Sequence, residues 1–106
     1  MASVRNERPV TETVAAMAEF LRARLDEEES AWGELTNLAL FASYADLARN
    51  MTRDIEAKRR IIYINEKAAA SPPKDDGYAE ARARQTIRHL ASVYSGHPDY
   101  REEWKP

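Results

Sequence analysis

The sequence predicts an all-α fold, a small bundle of three to four main helices closed by a short helical turn near the C-terminus. Three observations carry this. Glycine occurs only 3 times and proline 5 times in 106 residues, so breakers of long helices are scarce. Apolar residues recur at three- and four-residue steps along most of the chain. The β-branched and aromatic run Ile61-Ile62-Tyr63-Ile64 is flanked by helix formers and has no convincing partner strand, so it reads as helix.

Residues 1–10 read as a lead-in, and 11–106 as one helical domain with a loop at 70–77 and a tail at 96–106. The first helix begins with Thr11 or Thr13 as cap, and Val14, Met17, Leu21 and Leu25 form its inner stripe, widened by Phe20. Asp26-Glu27-Glu28-Glu29 follows. At a helix C-terminus each acid costs a few tenths of a kcal/mol against the dipole, on the order of 0.3. Either the helix therefore continues through Trp32, or these acids have basic partners elsewhere. Gly33 is the expected break.

Leu35 to Ala48 is apolar on most sides, which predicts a helix buried on more than one side: a central helix or a subunit interface. A second break is expected near Asn50, because one helix from Glu34 to Ser71 would run roughly 55 Å at 1.5 Å per residue. The next helix, 51 to 69, has acid-to-base pairs at four-residue spacing, Asp54 with Lys58 and Glu56 with Arg60. After the Ser-Pro-Pro-Lys-Asp-Asp-Gly loop, a helix over 78–95 presents Ala83, Ile87, Leu90, Ala91 and Tyr94 inward. Gly96 ends it, and Asp99 is expected to cap a last turn from Tyr100 to Trp104.

The composition narrows function. Net charge is −2, with 16 bases against 18 acids, so no global basic excess favours nucleic acid. The mean hydropathy is −0.69, no apolar run approaches the roughly 20 residues of a membrane span, and Met1 to Pro9 lacks a secretory apolar segment. A cytoplasmic protein is expected. With no cysteine, thiol nucleophiles and cysteine-held zinc are excluded. No serine elbow, phosphate loop or histidine-rich metal pattern appears. The chain reads as a non-enzyme with no cofactor and no small-molecule ligand. Its expected partner is itself, as a homodimer, or another protein.

Three groups of residues carry the candidate chemistry. Phe41, Tyr44, Tyr94, His97, Tyr100 and Trp104 form a candidate packing or interaction surface. Tyr100 and Trp104, four residues apart, share one face, and aromatics so placed either pack over the bundle or anchor a partner. Lys58, Arg59, Arg60, Arg82, Arg84 and Arg88 form a candidate basic patch, the alternative reading being a nucleic-acid-associated regulator. Interleaved acids and the stretch Asp26–Glu29 offer these cations internal partners instead. A metal-dependent enzyme around His89 and His97 is the second alternative. The local reading of His97 is a bond to nearby backbone beside Pro98.

Three segments resemble a family of small uncharacterised proteins, a domain of unknown function, from actinobacteria and their phages. They are Phe20 to Glu29 (FLRARLDEEE), Asp54 to Ile61 (DIEAKRRI) and Gly96 to Pro106 (GHPDYREEWKP). The connection between the first two is shorter here than the family's, and helical. The resemblance implies no activity, cofactor or catalytic residue; what it adds is a phage or mobile-element accessory role as an expectation.

Overall fold

The computed structural model describes the backbone of residues 13–38, 42–70 and 77–106, and the side chains of 13–35, 45–70 and 77–106. The expected lead-in, the site residue Phe41 and most of the 70–77 loop lie outside the described residues, as does the side chain of Tyr44.

Helix α1 spans Val14–Leu38. Thr13 starts it: its Oγ1 accepts the Ala16 N–H at 3.1 Å, the N-cap bond that satisfies one orphan donor of the first turn. Val14, Met17, Ala18, Phe20, Leu21 and Leu25 are buried, the stripe that the spacing predicts. The helix does not stop at Gly33. That residue lies in helical backbone, and of the three glycines only Gly77 has a positive φ. One internal glycine costs about 1 kcal/mol relative to alanine, too little to end a helix that packs on one side. The acids Asp26 to Glu29 therefore sit in mid-helix, away from the unfavourable end of the dipole.

Helix α2 spans Ala42–Ala70, 29 residues, and runs back along α1. The expected single segment from Leu35 to Ala48 is divided between the two helices. Leu35 and Leu47 remain 49% and 46% exposed, while Ala48 is buried. The expected break near Asn50 is absent as well: Asn50 lies inside α2 and accepts a bond from Arg53 Nη1 at 3.3 Å. As two helices of 25 and 29 residues, each is short enough to lie in an antiparallel pair. Ala48, Ile55 and Ile62 are buried at seven-residue intervals, the repeat of a helix seam. The Ile61–Ile64 run is helical; Ile62 points inward while Ile61, Tyr63 and Ile64 are exposed. Lys58 Nζ lies 2.9 Å from Asp54 Oδ2, as the spacing predicts. Among the described residues no ion pair joins Glu56 to Arg60.

Helix α3 spans Tyr78–Ser92 and follows Gly77, whose φ of 82° belongs to the left-handed region that glycine enters without strain. Ala83, Ile87 and Ala91 are buried, with Leu90 and Tyr94 packed partly against the same core. The helix ends at Ser92, ahead of Gly96. Beyond it the chain tightens into successive three-residue bonds, Tyr94 N–H to Ala91, Ser95 to Ser92 and His97 to Tyr94, which satisfy carbonyls of the last turn. A 3-10 turn, Glu102–Trp104, closes the fold. Asp99 does not cap it: Arg101 holds the cap position, and the Asp99 carboxylate lies 3.6 Å from Arg24 instead. The result is an all-α three-helix bundle, with no strand among the described residues.

Candidate functional site

Phe20 and Arg24 are four residues apart on α1 and so share a face. The C-terminal tail folds over that face. Around the Phe20 ring stand Tyr94, His97, Tyr100 and Trp104, with centroids 6.2, 5.7, 6.1 and 5.0 Å away. The first three meet it edge-on, an arrangement that aromatic quadrupoles favour. Tyr100 and Trp104 meet each other at 5.6 Å and 83°. Trp104 is 3% exposed, as deeply buried as the helical core.

Arg24 is only 8% exposed, and contacts surround it. Its Nη2 donates to Glu27 Oε2 at 3.3 Å, and its Cζ lies 5.1 Å from the Phe20 centroid. Nη1 is 2.7 and 2.6 Å from the two ring nitrogens of His97. Those near-equal distances place Nη1 beside both ring nitrogens. His97 Nδ1 accepts the Asp99 N–H at 3.0 Å, which fixes the turn around Pro98. His97 therefore makes the local backbone bond and, in addition, joins the tail to α1.

Two further contacts extend the clasp. Tyr94 Oη donates to Glu28 Oε2 at 2.7 Å. Burial first, and then the Glu28 carboxylate, hold this phenol well above its ordinary pKa of about 10. A group with a raised folded pKa stabilises the fold fully below its unfolded pKa, and loses that contribution as pH rises through the folded one. Tyr94→Phe is therefore expected to flatten the loss of stability above about pH 10 in alkaline urea melts. An unaltered alkaline slope contradicts this. Arg59 Nη2, from α2, reaches Asp26 Oδ1 at 2.8 Å and Glu29 Oε1 at 3.2 Å. The acidic stretch thus satisfies both expectations at once: the helix continues, and the acids have a basic partner. These groups are partly exposed, so Arg59→Ala is expected to cost only about 0.5–1 kcal/mol in a urea melt, less at high salt.

The basic residues do not form one free surface. Lys58 pairs with Asp54, Arg59 with Asp26 and Glu29, and Arg84 with Glu80. Arg82 lies over the Tyr78 ring at 5.4 Å, Arg60 is exposed, and Arg88 is half-buried with its Nε out of solvent. Elsewhere between α1 and α2, Arg22 Nη1 donates to Glu66 Oε2 at 3.1 Å, and that bond keeps the guanidinium pKa raised. His89 is exposed beside Gln85 on α3 and contributes nothing to the His97 cluster. No group of three or more His, Cys, Asp or Glu among the described residues is placed to hold a metal. A cavity of about 510 Å³ near Thr13 and Ala70 is lined by Glu66 and Glu80, both already paired with arginines. No helix of the described residues is long and apolar enough to cross a membrane.

Sequence reasoning did not single out Phe20, Arg24, Glu27 and Glu28 as the tail's partners. Their one signal is the Phe20–Arg24 spacing, which extends an apolar face by a cation. In space, the segment 20–29 meets the tail through Phe20 and Arg24, meets Tyr94 just ahead of the tail through Glu28, and meets the segment 54–61 through Asp26, Glu29 and Arg59. The chemically distinctive side chains of all three segments are thereby joined in one intramolecular clasp.

No curated protein and no solved structure matches the chain. A family model described as a family of unknown function, DUF6221, matches residues 14–106, from the first residue of α1 to the end of the tail. The chain belongs to this family of unknown function.

Proposed function

We propose that the chain is a non-enzymatic protein–protein interaction module of the cytoplasm, acting through the groove between α1 and α2 beyond the end of α3. The observation that carries this reading is a face of α1 that is buried at its start and becomes exposed towards Leu35. On α1, Val14, Ala18, Leu21, Leu25, Glu28, Trp32 and Leu35 follow alternating four- and three-residue steps, one continuous helix face. The first four are buried, whereas Glu28 and Trp32 are half-buried and Leu35 is exposed. Tyr94, just past α3, touches Glu28. With 15 residues, α3 is about 22 Å long at 1.5 Å per residue, against 25 residues in α1, so α3 itself does not run the full length of α1. On α2, Leu47 is exposed and Met51 half-buried.

The charged side chains Arg24, Glu27, Glu28 and Arg59 are each engaged within the clasp, which supports a structural rather than a catalytic use for them. The resemblance to proteins of actinobacteria and their phages supports a phage or mobile-element accessory role, and the partner is another protein or a second copy. A photo-crosslinking residue at position 35, introduced in the native host, is expected to trap one defined product, while the same residue at position 60 traps none. Absence of any product at position 35 sinks the reading.

A further inference from the structure

We infer that His97 is an acid-sensitive catch: its neutral ring holds the tail on α1, and protonation of that ring loosens the hold. The inference stands on the contacts of the clasp and goes beyond the proposed interaction role. A backbone N–H can only donate, so the Asp99 N–H at 3.0 Å needs an unprotonated Nδ1. Arg24 Nη1 lies 2.7 Å from the same nitrogen, and a guanidinium likewise only donates. One lone pair thus serves both the turn around Pro98 and the bridge to α1. Protonation removes that lone pair. It also sets a second positive charge against an arginine that is only 8% exposed, where water screens the repulsion poorly.

The charges around the ring are already engaged with other groups. On α1, Glu27 pairs with Arg24, and Glu28 accepts the Tyr94 hydroxyl. On α2, Asp54 pairs with Lys58 and acts on Tyr94. In the tail, the Asp99 carboxylate lies 3.6 Å from Arg24, while Tyr94 and Tyr100 meet the same Phe20 ring as His97. Among the described residues no ion pair joins a carboxylate to His97. Glu27 and Asp99 are 63% and 73% exposed, so solvent weakens what either could return to an imidazolium. Linkage then sets the sign. A ring held neutral in the fold binds fewer protons than the same ring in the unfolded chain. Its contribution is complete above the ordinary histidine pKa of about 6.5 and is lost as pH falls below that. One such group can lower the folding constant by at most about tenfold at about pH 5.5.

The test is a set of urea melts at about pH 8 and about pH 5.5, at one ionic strength, a window in which histidine is the side chain that ordinarily titrates. The chain has two histidines and no cysteine, and His89 is exposed on α3, so it serves as the control. The parent is expected to lose roughly three- to tenfold in folding constant on acidification. Glutamine keeps an acceptor but takes up no proton, so His97→Gln should reduce that loss to less than about twofold. His89→Gln should keep the loss of the parent. By NMR, the Asp99 amide proton should shift across the same pH window in the parent and stay in place in His97→Gln. A parent as stable or more stable in acid overturns the inference, and so does a loss that survives His97→Gln or disappears with His89→Gln. Should His97→Gln fail to fold, Arg24→Met decides: without the guanidinium the acid loss should shrink, and a loss as large as the parent's overturns the inference.

Discussion

Trp104→Ala is expected to destabilise the chain by about 3–5 kcal/mol, the cost of removing a large aromatic side chain from a packed core. At roughly 4–8 °C per kcal/mol for a domain of this size, the melting temperature should fall by more than about 10 °C. The magnitude follows from position. The indole is as buried as Leu21 or Ile62 and packs against both Phe20 and Tyr100, the latter edge-on, so its loss opens a cavity beside those two rings. Trp104→Phe retains part of the contact and should cost clearly less. A melting temperature within a degree or two of the parent, by calorimetry, contradicts the account of the tail.

Arg24→Met carries the second large effect. Methionine keeps the chain volume over Phe20 but removes the charge that faces Glu27, His97 and Asp99 at once. Glu27 and Asp99 are 63% and 73% exposed and regain water when the cation is lost. The cost is therefore about 1.5–3 kcal/mol, the range for hydrogen bonds to charged groups, rather than that of a fully buried broken pair. Lysine should not restore the loss, because a point charge on a flexible stem does not stack on a ring as a planar guanidinium does. Combined with His97→Ala, the two changes should fall short of additivity by more than about 0.5 kcal/mol in urea melts. Full additivity contradicts direct coupling between the two side chains.

The inner face of α1 was legible because burial of one helix side imposes a period, and Val14 to Leu25 displays it. So was the need of the acids at 26–29 for a partner, since electrostatics demands one. Helix ends were not. Gly33 and Asn50 carry breaker signals, yet packing along the antiparallel pair outweighs a local cost near 1 kcal/mol. Helix α1 ends instead at Leu38 and α2 begins at Ala42, neither of which carries such a signal. Asp99 has the composition of a cap, but a buried arginine 75 positions earlier competes for its carboxylate. The tail's Tyr100–Trp104 face was readable from its spacing. Its docking surface was not, because pairing across 73 residues, as between Arg24 and His97, leaves no mark in local pattern.

The central claim, that the three motif segments form a structural clasp holding the tail on α1, is tested most directly by amide hydrogen exchange. The full chain is compared with one lacking Asp99 to Pro106. The clasp predicts that protection falls at least tenfold across Met17 to Leu25, the stretch of α1 beneath the tail, together with a marked drop in melting temperature. Unchanged protection in that stretch, with an unchanged melting temperature, contradicts the claim and makes the tail an element that binds elsewhere.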